Sequence, residues 1–306
     1  MKKKILAIQG SSLKKINIRT DTSFFLGVEA QKRNYDIYYY EPKDLSFVNG
    51  KIIARCTNVK FKYNSKKPIK ILKSSTLNLI KAKLLLIRNE PPFNQQFINT
   101  TFILEHISKK IKIINDPKGL REVPEKLFSL HLIKFMPNTL ISEDLREIKK
   151  FFDKNKKVVI KPIESYSGND VRLLNKFNRA QVVRYIKKYR HLMFQKFIPQ
   201  ISKGDKRVFI INGKVKGAIS RLPKKGSILS NMSKGASAKK IKITNQELQI
   251  SKFVASELKK KNIYFAGIDF IKGKLIGDIN VTSPTGLKTY YDLTKINLAE
   301  YFFDNI

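Results

Sequence analysis

Gly267-Ile-Asp-Phe-Ile-Lys-Gly-Lys-Leu-Ile-Gly-Asp-Ile-Asn-Val-Thr-Ser-Pro284 is the stretch from which the fold is read. Two apolar runs, Tyr264 to Ile271 and Lys274 to Val281, flank Lys272-Gly273, the pattern of a β-hairpin with glycine at its turn. Side chains alternate along a strand, so Asp278 and Asn280 project from one face. Asp269, on the facing strand, lies at a distance from the turn that brings it within reach of that face. Two carboxylates and one amide oxygen on an otherwise apolar sheet are the hard, all-oxygen set that Mg²⁺ takes, with waters and phosphates completing the shell. Spacing alone admits the plainer reading as readily: two acids near a turn and a strand-end asparagine, all in solvent.

Around this hairpin stand 306 residues, 42% hydrophobic and 10% aromatic, enough for two or three packed units with a substantial core. No apolar run approaches the roughly eighteen residues that cross a bilayer. Met1 to Gln9 lacks the apolar core of a signal peptide and reads as a first strand. Cys56 is the only cysteine, which excludes an intrachain disulfide and a thiolate metal cluster. A soluble, cytoplasmic protein without a membrane partner is expected. The net charge of +38 would attract nucleic acid or anionic membrane. Lysine greatly outnumbers arginine, however, and Ile and Asn are abundant, the bias of an AT-rich coding sequence. The lysines are spread through every segment with no aromatic-interleaved basic motif. A nucleic-acid partner is therefore not expected, while the positive field suits an anionic substrate.

Lys4 to Ile8 is a short apolar strand, and Thr20 or Asp21 caps a helix carrying Phe24, Phe25 and Val28. Tyr35 to Tyr40 is the next strand, and Phe47 to Ala54 a hairpin turning at Asn49-Gly50. Lys60 to Lys73 mixes lysines with Asn, Ser and Pro and reads as a solvated connection. Leu84 to Ile87 is a buried parallel strand, followed by a helix from Gln95 to Ser108 and a strand from Ile111 to Ile114. Glu125-Lys-Leu-Phe opens a helix, and Lys157 to Pro162 is a strand cut off by proline. Val171 to Leu174, a helix near Asn178 to Tyr189, and the strand Leu192 to Phe197 follow. Lys206 to Arg221 is a hairpin turning at Asn212-Gly213, and Pro223 to Lys240 a long loop of the kind that is either a lid or disordered. Thr244 caps a helix to about Lys261, and Leu293 to Phe303 is a terminal helix.

An anionic substrate reacting beside such an oxygen set needs cations from several directions and a cover against water. Lys126, Lys161, Arg207 and Arg221 are the candidates, although in so basic a chain any single lysine is first of all surface charge. Arg88 ends a parallel strand, where open α/β sheets place ligands, and is either a carboxylate-recognising fork or half of a structural ion pair. His106, His131 and His191 form no metal-like cluster.

An ordered set of motifs adds to this reading. Asn17-Ile with Asp21-Thr-Ser-Phe, Glu29-Ala-Gln-Lys-Arg33, Arg88-Asn-Glu-Pro-Pro-Phe93, Thr100 to Glu105 and Asn115-Asp-Pro-Lys-Gly-Leu-Arg121 come first. Glu125-Lys-Leu-Phe, Val159-Ile-Lys-Pro162, Gln195-Lys-Phe-Ile-Pro199, Gly204-Asp-Lys-Arg-Val208, Ser220-Arg-Leu-Pro223 and the Gly267–Pro284 hairpin follow. In order and approximate spacing the chain resembles the bacterial glutathione synthetases of the ATP-grasp superfamily over nearly its whole length. The resemblance implies an α/β chain with the ATP-grasp fold. Residues 1–118 would form an N-terminal α/β (pre-ATP-grasp) substrate domain, 119–200 a small central α+β lid, and 201–306 a C-terminal antiparallel-sheet catalytic domain. It implies that Lys126 and Lys161 contact ATP phosphates, with Gly168 retained in the phosphate loop. Gln195, Lys196, Phe197 and Ile198 would hold the adenine, and Arg207 and Arg221 would clamp phosphate or acylphosphate oxygens. Asp269, Asp278 and Asn280 would hold two Mg²⁺ ions, with Mn²⁺ as an alternative, and Arg88 and Ser283 would face the substrate.

The implied activity is ATP-dependent ligation of γ-glutamylcysteine to glycine. Another ATP-grasp carboxylate–amine ligase and a nucleotide-binding pseudoenzyme stand as alternatives, and a homo-oligomer is left open. Three departures from the family stand out. The glycine-rich loop after Lys-Pro is Glu164-Ser-Tyr-Ser-Gly-Asn-Asp170, a metal-bridging Glu is Asp278, and Asn231 to Ser237 has lost glycines and an Arg, with Lys234 in their neighbourhood.

Overall fold

The structure is a computed structural model describing residues 3–306, so the first two residues of the Met1–Gln9 stretch lie outside the described residues. The chain builds three sheets in turn. The first collects β1 (Lys4–Gly10), β2 (Tyr35–Tyr40), β3 (Leu45–Val48), β4 (Lys51–Phe61), β5 (Ile69–Asn78), β6 (Leu84–Arg88) and β7 (Lys112–Ile114), with α1 (Thr22–Lys32), α2 (Gln95–Glu105) and α3 (Pro117–Glu122) between strands. Its parallel centre runs β2-β1-β6-β7, and β4 adds antiparallel strands at one edge. Gly10 and Arg88 pair at the carboxyl ends of β1 and β6, from which the chain leaves toward opposite sides of the sheet. Asp21 caps α1 by accepting from the Phe24 amide at 2.6 Å.

The second sheet is antiparallel, ordered β10-β9-β11-β8, from β8 (Thr139–Ser142), β9 (Val158–Pro162), β10 (Arg172–Leu174) and β11 (Leu192–Lys196), with α4 (Leu145–Asn155) and α5 (Arg179–Tyr189) on it. The third is ordered β14-β13-β12-β15-β16, from β12 (Asp205–Ile211), β13 (Lys214–Leu222), β14 (Ser237–Lys240), β15 (Phe265–Ile271) and β16 (Lys274–Asn280). α6 (Asn245–Lys260), α7 (Leu287–Thr294) and α8 (Leu298–Asp304) complete it. The three expected tight turns, at Asn49-Gly50, Asn212-Gly213 and Lys272-Gly273, all have both central residues at positive φ, the backbone that matches strand twist.

Packing divides the chain unequally. Two cores each join residues of the first and third sheets, for example Leu85 with Ile268 and Leu86 with Phe209. The second sheet has a core of its own, from Ile148, Phe152, Val158, Ile160, Val182 and Phe194. It meets the rest through Met193 and Ile141, which pack into the first of the two larger cores.

Four local expectations are corrected. Lys60 to Lys73 is not a free connection: β4 continues to Phe61 and β5 starts at Ile69, because a long antiparallel ladder satisfies the backbone while lysines take the exposed positions. Glu125 opens no α-helix; a turn leads into a 3-10 segment, Phe128–Phe135, because the Glu125 carboxylate is spent on Val281 and Thr282. The end of the Pro223–Lys240 loop is β14, paired to β13 through backbone alone. The terminal helix is two helices, broken where Lys295 takes φ +64° and Asn297 caps α8.

Candidate active site

β12 is the strand that assembles the site. Asp205 and Arg207 share a face by parity, Asp205 pairs across to Arg221 on β13, and Arg207 pairs across to Asp269 on β15. Four charged side chains therefore meet on one sheet face, each 6% exposed or less. Arg207 grips Asp269 with two parallel bonds, Nε to Oδ1 at 2.8 Å and Nη2 to Oδ2 at 2.7 Å. Arg221 grips Asp205 in the same way, Nε at 2.8 Å and a second bond from Nη2, and its Nη2 also lies 2.9 Å from Asp269 Oδ2. Forked pairs of this kind offset the cost of burying charge that isolated ions would carry. Burial alone would raise the Asp269 carboxyl, but Arg207 and Arg221 outweigh it and hold the group far below its ordinary range. Burial opposes the charge on Arg221, yet Asp205 and Asp269 keep it charged well above its usual value.

The hairpin that carries Asp269 is irregular at that residue. Ile268 pairs with Ile279 and Phe270 with Leu275, so β16 sets Ile276, Gly277 and Asp278 against Asp269 alone. Gly277 makes this bulge, at φ +81° and with no room for a Cβ beside Met136 Cε at 2.9 Å. Beyond it, Asn280 Nδ2 donates to Gly267 O at 3.0 Å and lies 3.4 Å from Asp269 Oδ2. Asp278, on the same strand face as Asn280, has Lys161 Nζ 3.3 Å from Oδ2 and Lys126 Nζ 3.9 Å from Oδ1. All three oxygen-bearing residues line one cleft of about 440 Å³.

Of the donor set, Asp278 and Asn280 suit a hard cation, while both oxygens of Asp269 already accept from Arg207 and its Oδ2 also meets Arg221. Asn280 uses its amide nitrogen on protein acceptors, which leaves its oxygen for a ligand, and Asp278 is 28% exposed. No three His, Cys, Asp or Glu side chains form a closed cage among the described residues, so water and phosphate oxygens would complete the shell.

Two further residues fix this hairpin and were not singled out for it by sequence. Glu125 accepts from the Thr282 hydroxyl at 2.8 Å and from the Val281 and Thr282 amides, and its carbonyl takes the Ile279 amide. Asn115 bonds the Tyr264 and Phe265 amides through Oδ1, and the Phe265 and Val281 carbonyls through Nδ2. All four of its side-chain bonds are satisfied at the open end of the hairpin.

The facing wall comes from the second sheet. Lys161 Nζ donates to Ile276 O at 2.7 Å, and Lys126 donates to the Ile163 and Ser165 carbonyls, which pins the loop after Pro162. Burial lowers the Lys126 ammonium below its usual value against the pull of Asp278 and Glu125. Gly168, at φ +71°, is packed so closely against Asn231 that a Cβ would sit 2.6 Å from its Oδ1. At the end of β11, Gln195 Nε2 donates to Thr139 at 3.0 Å, while the Lys196 and Phe197 amides are taken by Asn138 O and Lys157 O. The Ile198 amide has no protein acceptor among the described residues.

Arg88 stands apart. It is 6% exposed, with Nε 3.2 Å from Ser23 Oγ and Nη2 2.8 Å from Pro284 O, and it does not line the main cleft. Its Nη1 is a buried donor without a partner, and burial lowers its pKa to about 10 despite Asp21 nearby. Ser283, which lines the cleft, donates to Arg88 O at 3.2 Å and ties the two places together.

The family profile described as prokaryotic glutathione synthetase matches in both parts, the N-terminal domain over residues 5–121 and the ATP-grasp domain over residues 125–295. The chain is 35% identical to the glutathione synthetase of Bradyrhizobium diazoefficiens, over 98% of this chain and 97% of that one. It is 33% identical to that of Buchnera aphidicola subsp. Schizaphis graminum, over 98% and 96%. A solved RiPP-associated ATP-grasp ligase of Chryseobacterium gregarium superposes with a TM-score of 0.62 at 16% identity, over 100% of this chain and 98% of that one. That likeness speaks to the fold, which is ATP-grasp. With both parts matched over nearly its whole length, the chain belongs to the prokaryotic glutathione synthetase family.

Proposed function

We propose that the protein joins the cysteinyl carboxylate of γ-glutamylcysteine to the amine of glycine, converting ATP to ADP and phosphate and releasing glutathione. The observation that carries this reading is the cleft itself, in which Arg207, Arg221, Lys126 and Lys161 surround the Asp269–Asp278–Asn280 oxygen set. On this reading Lys126 and Lys161 bind ATP phosphates, the loop at Gly168 covers them, and the backbone from Gln195 through Lys196 and Phe197 to Ile198 holds the adenine. Asp269, Asp278 and Asn280 take two Mg²⁺ ions, replaceable by Mn²⁺. Bound there, the metal would neutralise the triphosphate and polarise its γ-phosphoryl group.

The substrate carboxylate attacks the γ-phosphorus, the bond to the bridging oxygen of ADP breaks, and an acylphosphate forms. Arg207 and Arg221 hold oxygens of the transferred group, already fixed in direction by their carboxylate partners. The glycine amine then attacks the acyl carbon, the nitrogen loses a proton, and phosphate leaves carrying one former carboxylate oxygen. No protein nucleophile is required. The unpartnered Nη1 of Arg88 suits a substrate carboxylate, with Ser283 beside it. We read residues 1–118, 119–200 and 201–306 as substrate, lid and catalytic units, and place the enzyme in the cytoplasm.

The test is isotopic. γ-Glutamylcysteine labelled with ¹⁸O in the cysteinyl carboxylate should deliver one label to each phosphate released. Unlabelled phosphate formed together with glutathione would overturn the acylphosphate route.

A further inference from the structure

The loop over the cleft is fastened to the floor at one buried point. Ser230 is 6% exposed and donates its hydroxyl to Asp205 Oδ2 at 2.5 Å. Asp205 is 1% exposed, and its other bonds come from Nε and Nη2 of Arg221. Arg221 Nη2 continues to Asp269 Oδ2 at 2.9 Å. A single relay thus joins the cover to the floor: Ser230, Asp205, Arg221, Asp269.

Arg221 has donors to spare. Its Nη1 makes no hydrogen bond to protein among the described residues, and it is not sealed from the cleft that the residue lines. A guanidinium is planar and rigid, so fixing Nε and Nη2 on two carboxylates also fixes the direction of Nη1. Asp205 has no other use for its buried charge, which would be costly unless paired.

The same loop makes a second attachment, to the phosphate loop. Lys234 Nζ donates to Asn169 Oδ1 at 2.7 Å, and Asn231 packs on Gly168. One loop thus carries both attachments, Ser230 to Asp205 on the floor and Lys234 to Asn169 on the phosphate loop.

We propose that Asp205 is a positioning residue for Arg221, and that Ser230 lets the same carboxylate register closure of the cover, so that Arg221 is fully held only when the loop is down. The proposal rests on the assignment of Arg221 to the reacting phosphoryl group. Coupling of this kind is reciprocal: whatever the arginine gains from closure, the loop gains from the arginine.

The experiment uses the full chain with Ser230→Ala, Ser230→Thr and Asp205→Asn. Trypsin nicking at the exposed Lys224 and Lys225 is followed without nucleotide, alongside kcat and KM for ATP. Ser230→Ala should be nicked several-fold faster and raise the ATP KM about tenfold, more than it lowers kcat, as expected for one lost hydrogen bond to a charged group. Ser230→Thr, which keeps the hydroxyl, should restore both readouts. Asp205→Asn should lower kcat, and adding Ser230→Ala to it should lower kcat no further, since both act through one carboxylate. Wild-type nicking of Ser230→Ala, or equal defects in the Ala and Thr variants, would overturn the proposal. So would kcat losses that multiply in the double variant. If Asp205→Asn does not fold, the two Ser230 variants leave the ion pair intact and decide the matter alone. Nicking needs no peptide substrate, so a protein that nicks as expected but makes no glutathione would overturn only the proposed reaction.

Discussion

Arg207 and Asp269 face each other across β12 and β15 through two parallel hydrogen bonds, 2.8 and 2.7 Å long, with Arg221 closing on the same carboxylate. Two buried cations thus depend on Asp269. Asp269→Asn would leave them partly uncompensated at nearly unchanged volume. A stability loss of about 3–5 kcal/mol is expected, the usual result of removing one partner from a buried pair. Urea unfolding measures it, and an unchanged midpoint would show that the fork contributes nothing to the fold.

Lys161 is 8% exposed and reaches Asp278 and the Ile276 carbonyl across the gap between sheets. Lys161→Met keeps the aliphatic stem and removes the charge. The ATP KM should rise by about ten- to a hundredfold, since hydrogen bonds to charged groups contribute roughly 1.5–3 kcal/mol. Circular dichroism should be unchanged. An unaltered ATP requirement would make Lys161 an ordinary lysine.

The cover should respond to nucleotide. Lys224, Lys225 and Gly226 are exposed, and the loop holds few apolar side chains to offset an ordering cost of roughly 1–2 kcal/mol per residue. Ligand contacts must supply the rest. A non-hydrolysable ATP analogue with Mg²⁺ should suppress cleavage between Pro223 and Ser230. Equal cleavage with and without saturating nucleotide would contradict the lid role.

Cys56 is fully buried, and burial, with Asp44 nearby, pushes its thiol up to about 12. A raised folded-state value means the thiol stays protonated, and the associated stability is complete below about pH 8.5, the unfolded thiol's value, and lost above it. Alkylation at pH 8 should therefore follow global unfolding. Rapid labelling of native protein would show that the first sheet opens locally around Cys56.

Much of this architecture is legible in the residues. Strand parity alone puts Asp278 and Asn280 on one face, and Asn-Gly or Lys-Gly at three turns fixes three hairpins, because glycine, and asparagine before it at two of them, tolerates positive φ. The order of motifs carries the family. Parity also holds Asp205 beside Arg207, a relationship that Gly204-Asp-Lys-Arg already contains. Other features are not local. The four bonds of Asn115 run to residues about 150 positions away, and those of Glu125 to Val281 and Thr282, so no window of sequence contains them. The bulge at Gly277 lies against Met136 and Met193, which are distant in sequence and leave no room for a Cβ there. β5 is not legible as a strand because its lysines mask an edge strand whose pairing is made by backbone.

Phosphate release from ATP and Mg²⁺ tests the central claim most directly, with γ-glutamylcysteine present and a panel of candidate amines supplied one at a time. Release should require both γ-glutamylcysteine and an amine, should be fastest with glycine, and should match glutathione formed mole for mole. Release at an equal rate without γ-glutamylcysteine, or none with any amine, would contradict the account.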